Sequence, residues 1–144
     1  PIALSGSIAT GDAILAAQAL GADLAYIGSA FIATKEANAV EGYKQAIVDS
    51  SAGDIVYSTL LTGIHGNYLR SSIAAAGMDP DNLENSDPSA MNFGSGGNTK
   101  AKAWKDIWGS GQGIGAIKQV STTAEFVQRL GEQYRAAKRR VCGG

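Results

Sequence analysis

The stretch that decides the fold is Pro1-Ile-Ala-Leu-Ser-Gly-Ser-Ile-Ala-Thr-Gly11, followed after a short helical pattern by Leu24-Ala-Tyr-Ile-Gly-Ser-Ala-Phe31. Two apolar runs of strand length, Ile2–Leu4 and Leu24–Ile27, each end in a small-residue turn, Ser5-Gly6-Ser7 and Gly28-Ser29. Between them Thr10-Gly11-Asp12 opens a helix, Ile14, Leu15, Ala17, Gln18 and Leu20 follow, and Gly21 stands where a C′ glycine belongs. Strand, helix and parallel strand within about 30 residues make a βαβ unit. The first strand is expected to be buried, which makes the opening of the chain look like the continuation of a fold.

A strand that ends in Gly/Ser and turns into a helix leaves backbone N–H groups free, and these can hold a phosphate. Small residues let the backbone approach closely, and serine hydroxyls add donors. One such turn is an ordinary βα connection. Two on consecutive units can grip one phosphate from two sides. In (β/α)8 barrels the phosphate often sits at the loops after the seventh and eighth strands, beside a short extra helix, and Ser29–Thr34 is the matching turn of helix here.

Working outward, Asn38–Asp49 has helical spacing in Val40, Tyr43 and Ile47, with Asn38 as N-cap and Glu41 three residues on. Asp54–Thr62 reads as a strand or an extended arm. Gly66-Asn67 reads as a turn and Tyr68–Ala76 as a short helix. Gly77–Thr99 is rich in Asp, Asn, Ser, Pro and Gly and reads as a long loop, and Ala101–Trp108 as a short helix before the glycine-rich Gly109–Gly115. Thr122-x-x-Glu125 is a capping box for a last helix reaching Arg140, with Phe126, Val127, Leu130 and Tyr134 as its inner face.

The bulk composition narrows the function classes. With 144 residues, 44% apolar and a formal net charge of −1, the chain is globular, with no basic excess to suggest a nucleic-acid partner. One cysteine, Cys142, excludes an internal disulfide and fits a reducing, cytoplasmic setting. No apolar run approaches the roughly 18 residues of a membrane span. No His/Cys/Asp/Glu spacing suggests a metal. Gly111-x-Gly113-x-x-Ala116 fits a loosened dinucleotide fingerprint, but no clear strand precedes it and no helix follows. Walker A is absent. Trp104 and Trp108 read as one helix face, and Arg135, Lys138, Arg139 and Arg140 as cations suited to a helix C-terminus.

Several separated segments, in order, resemble the C-terminal part of the nitronate monooxygenases, once called 2-nitropropane dioxygenases. They are Ser5-Gly-Ser-Ile-Ala-Thr-Gly11, Gly21-Ala-Asp-Leu-Ala-Tyr-Ile-Gly-Ser-Ala-Phe-Ile-Ala-Thr-Lys-Glu36, Tyr43–Ile47, Gly66-Asn-Tyr-Leu-Arg70, and Trp108 with Ser110–Gly115. The resemblance covers nearly the whole chain. It implies an α/β fold, the C-terminal part of a (β/α)8 barrel: residues 1–50 as its last two βα units, residues 51–144 as a mostly helical extension packing on it. It also implies FMN as cofactor and oxidation of alkyl nitronates by O2 to a carbonyl compound and nitrite.

Carried over position by position, Ser5, Gly6 and Ser7 match the first phosphate turn, Gly28 and Ser29 the second, and Gly111, Gln112 and Gly113 a loop near the flavin. The family's Gly-Gly pair is Gly6-Ser7 here, and its Gly-Thr pair is Gly28-Ser29. The family's catalytic histidine motif belongs before Pro1, so no catalytic base is assigned. His65, the only histidine, falls in a region the family uses after the barrel. The remaining barrel is expected upstream of Pro1, with a nitronate and O2 as small-molecule partners and a homo-oligomer as one state. An FMN-dependent enoyl-reductase on the same barrel, and a non-catalytic flavin-binding or interaction module, are the alternatives.

Overall fold

The structure is a computed structural model and describes residues 1–59, 64–83 and 106–143. It divides into two compact units, Pro1–Ala52 with Gly111–Gly144, and Gly53–Ser110.

In the first unit, β1 (Ala3–Ser5) and β2 (Leu24–Tyr26) pair in parallel, with Ala3 opposite Leu24 and Ser5 opposite Tyr26. α1 (Gly11–Ala19) makes the crossover between them. The local chemistry is as expected: the Thr10 hydroxyl accepts the Ala13 N–H, and Gly21 takes a left-handed φ of +93° just past the helix. Asp23 anchors the strand pair from the far end, its carboxylate accepting the Ile2 N–H at 2.7 Å. The expectation of a buried first strand fails. Ile2 is 65% exposed and Leu24 60%, because in a sheet of two strands no layer among the described residues covers them.

α2 (Ser29–Ile32) is a single turn. α3 (Glu41–Asp49) has Val40 at its N-cap with no side-chain hydrogen bond, so the Asn38 cap is corrected by two residues. Its Lys44 ammonium is buried and held by the Lys35 carbonyl and the Glu41 carboxylate. A 3-10 helix, Gln112–Ala116, replaces the later part of the expected glycine loop. α5 (Thr123–Cys142) begins on the predicted capping box, with both reciprocal hydrogen bonds present, and runs two residues beyond Arg140 to a left-handed Gly143.

The core of this unit is the packing of α1 and α2 on α5. Ala17, Ala30, Phe126, Leu130 and Ala137 are buried, and Phe31 meets Phe126 edge to face at 4.9 Å. Val127, expected on the inner face, is 52% exposed. Gly11 explains how close the helices come: a Cβ there would overlap the Tyr134 and Leu130 backbone, and its N–H donates to Gln133 Oε1 at 3.0 Å. Only glycine permits that approach.

In the second unit, β3 (Ile55–Ser58) pairs antiparallel with β4 (Gly66–Leu69), and α4 (Arg70–Ala75) follows directly. Gly66-Asn67 is therefore strand rather than turn, and the helix starts at Arg70 rather than Tyr68. The backbone of β4 is bonded on both sides: Leu69 N–H donates to Trp108 O at 2.8 Å and Ser110 N–H to Asn67 O at 3.1 Å. Those long-range partners claim the peptide groups a helix would use. Leu69, Ile73 and Ile107 form the core beneath, and the Ser72 hydroxyl joins Leu69 O to the Trp108 N–H. Most of the expected 77–99 loop and the 101–108 helix, with Trp104, lie outside the described residues. Among the described residues no helix is long and apolar enough to cross a membrane.

Candidate functional site

The C-terminal ends of β1 and β2 lie side by side because the strands are parallel and in register. The turns that follow them therefore open at the same edge. Ser5, Gly6 and Ser7, then Gly28 and Ser29, line one cleft of about 150 Å³, with Gly111 and Gly113 along another wall. Seven of the eight positions matched from the sequence thus share one cavity. Gln112 does not. It is exposed on the 3-10 helix and is not among the lining residues.

The first turn has an unusual backbone. Gly6 takes φ +103° and Ser7 φ +55°, two consecutive left-handed residues. A left-handed serine costs roughly 1–2 kcal/mol, which supplies a physical reason for glycine in the family's pattern at this position. The 3-10 helix seats against this turn. A Cβ on Gly113 would stand 2.9–3.0 Å from the Ser7 backbone, so Gly113 is the residue that allows contact.

The second turn is tied to the same segment. Ser29 Oγ accepts the Gly111 N–H at 2.8 Å, and no acceptor for the Ser29 hydroxyl proton stands among the described residues. Nothing lies within 4 Å of where a Cβ would project from Gly6 or Gly28. The cleft is thus open at the two positions where a group must approach backbone closely.

Its chemistry is that of neutral donors. Among the described residues no lysine, arginine or carboxylate lines it, only hydroxyls, backbone, Ile8, Ala9, Ala30 and the Tyr26 ring. Such a set suits an anion held by N–H and O–H groups rather than by a counter-charge. α2 is too short for its dipole to add much. The volume also discriminates: pockets that enclose drug-sized ligands begin near about 300 Å³, so this cleft has room for a small group rather than a whole cofactor. Tyr26 and Gly111 complete the lining, and Tyr26 was signalled only by its place at a strand end next to a glycine turn. His65 belongs to the second unit, where it is exposed and stacked on Tyr57 with ring centroids 4.6 Å apart.

The cleft stands on a scaffold tied from outside. The segment after α2 pairs with the segment before α5 through Lys35 N–H to Ser121 O, and Glu36 accepts both the N–H and the hydroxyl of Thr123. Those bonds hold the Glu36 carboxyl below the usual range, as bonds from Thr122 do for Glu125.

A nitronate monooxygenase of Paraburkholderia phytofirmans is 35% identical over 104 residues, 72% of this chain and 28% of that protein. Among solved structures, FabK from Thermotoga maritima superposes with a TM-score of 0.71 at 19% identity, over 99% of this chain and 47% of that one. A nitroalkane oxidase from Streptomyces ansochromogenes gives 0.66 at 21%, over 98% and 41%. At such identities the two structures speak for the fold alone. The chain spans little more than a quarter of the bacterial relative's length. The family model for nitronate monooxygenase matches residues 1–133, and the chain belongs to that family.

Proposed function

We propose that this chain is the cofactor-phosphate portion of an FMN-dependent oxidoreductase that oxidises alkyl nitronates with O2 to a carbonyl compound and nitrite. Its two βα units would be the last two of a (β/α)8 barrel, with residues 51–144 as the extension on it. The observation that carries the reading is the convergence of Ser5-Gly6-Ser7, Gly28-Ser29, Gly111 and Gly113 on one cleft sized for a phosphate. FMN, when bound, supplies the electron transfer between nitronate and O2. The chain's own residues bind and orient: hydroxyls of Ser5, Ser7 and Ser29 and the turn N–H groups hold the phosphate, while Gln112, outside the cleft lining, would lie toward the flavin. Where the substrate arrives as the neutral nitroalkane, the base that removes its α proton is proposed to come from residues other than those of this chain. His65 takes no part.

The test compares FMN with riboflavin, which lacks the phosphate. The chain should quench FMN fluorescence with at least tenfold tighter affinity than that of riboflavin, and show no nitronate-dependent O2 uptake by itself. Equal affinities for the two flavins refute the phosphate site. Robust turnover refutes the reading of this chain as the cofactor-phosphate portion alone. Joined to the remainder of its barrel, the protein should consume O2 with a nitronate and no nicotinamide; an absolute need for NAD(P)H would favour an enoyl-reductase instead.

A further inference from the structure

Ser29 sits at the junction of two features that are far apart in sequence. Its Oγ accepts the Gly111 N–H at 2.8 Å across a separation of 82 residues, and the same residue lines the cleft. A hydroxyl whose lone pair is taken has its proton left to give. Two residues beyond Gly111, Gly113 packs on the left-handed Ser7 backbone of the opposite turn. The 111–116 segment is thus pinned to both phosphate turns, by a hydrogen bond on one side and a close backbone contact on the other.

We propose that Ser29 is a positioning residue that makes capture of a phosphate monoester and docking of the 111–116 segment one coupled event. This deepens the phosphate reading above and rests on it. Accepting from Gly111 fixes the Ser29 rotamer and directs its proton to the phosphate. A phosphate oxygen that accepts that proton polarises the hydroxyl, which strengthens its hold on the Gly111 N–H. Coupling of this kind is reciprocal: whatever docked Gly111 adds to phosphate affinity, bound phosphate adds to Gly111 docking. The hydroxyl is the essential part, so threonine can serve in its place and alanine cannot.

The experiment uses the 144-residue chain, its Ser29→Ala and Ser29→Thr variants, FMN and riboflavin, with amide hydrogen exchange read by NMR. In the unaltered chain the Gly111 amide is protected, and FMN slows its exchange further whereas riboflavin does not. Ser29→Ala speeds Gly111 exchange at least tenfold and lowers FMN affinity about tenfold, with riboflavin affinity unchanged. The Ala13 amide, bonded to the Thr10 hydroxyl, serves as the internal control and does not move. Ser29→Thr restores both the protection and the FMN preference.

Unchanged Gly111 exchange in Ser29→Ala overturns the coupling, as does an equal loss of FMN and riboflavin affinity. In either case the phosphate reading survives as long as the unaltered chain prefers FMN. If the unaltered chain binds the two flavins alike, or neither, the phosphate site itself is wrong and the coupling falls with it.

Discussion

Replacing Gly11 by alanine puts a methyl group in place of a hydrogen where α1 meets the backbone of α5. The new Cβ would lie 2.7 Å from the Gln133 carbonyl carbon, and nearer still to the Tyr134 nitrogen and Leu130 oxygen, all main-chain atoms that cannot rotate away. Restoring an ordinary 3.4 Å contact to Gln133 alone needs a displacement of about 0.7 Å. The helices must part, loosening Ala17, Phe126, Leu130 and Ala137, which are all at least nine-tenths buried, and stretching the Gly11 N–H bond to Gln133.

Overpacking of this kind costs about 1–3 kcal/mol, and a lost hydrogen bond adds about 1 kcal/mol. The gain in helix propensity, at most about 1 kcal/mol, is small at the first helical position. The net is a loss of about 2 kcal/mol, a fall in Tm of about 6–10 °C for a chain this size. Gly131→Ala is the matched control. It lies within α5, where the nearest atom to a new Cβ is the flexible Arg135 guanidinium at 3.3 Å, so it should raise stability by about 0.5–1 kcal/mol. Thermal unfolding followed by circular dichroism at 222 nm reads both. If Gly11→Ala melts at or above the unaltered chain, the helix contact described here is wrong.

Other perturbations follow the same logic. Gly113→Ala pushes a methyl group into the Ser7 backbone and should weaken FMN binding about tenfold, one tenfold step being about 1.4 kcal/mol; fluorescence quenching measures it, and unaltered affinity would remove Gly113 from the cleft wall. Ser7→Gly relieves a left-handed serine of roughly 1–2 kcal/mol against a glycine entropy cost of roughly 0.5–1 kcal/mol. A net stabilisation of about 0.5–1 kcal/mol is expected in urea unfolding, and a loss of stability would contradict the backbone described. The Glu36 and Glu125 carboxyls have lowered pKa values, so their contribution is complete above the ordinary carboxylate range near about pH 4.3 and disappears as pH falls through the lower folded values. Tm should therefore decline more gently on acidification in Glu36→Gln than in the unaltered chain, and parallel curves would refute the role given to Glu36.

What could be read from the sequence was mostly local. Thr10 and Gly21 frame α1, and Thr122 with Glu125 frames the start of α5, because a cap is made within a few residues of itself. The pairing of the two Gly/Ser turns was legible for a related reason: a βαβ unit brings consecutive strand ends together by construction. β4 was misread because Gly66–Leu69 takes its hydrogen-bond partners from Ile55–Ser58 and Trp108–Ser110, which no window around Tyr68 contains. Gly11 and Gly113 looked like a helix start and a loop glycine. Their roles depend on backbone met across long stretches of chain. Gln112 shared a motif with Gly113, but one step along a 3-10 helix turns a side chain from wall to solvent.

The bond from Gly111 to Ser29 also sets an order in time. Residues 82 apart leave the ribosome about 4–16 s apart at the usual rate of roughly 5–20 residues per second. Throughout that interval the two turns exist with one wall of their cleft unsynthesised, and Gly11 waits still longer for Gln133, 122 residues on. The phosphate capture proposed between those walls would belong to the finished chain. A nascent one carries the two turns and cannot yet close on anything.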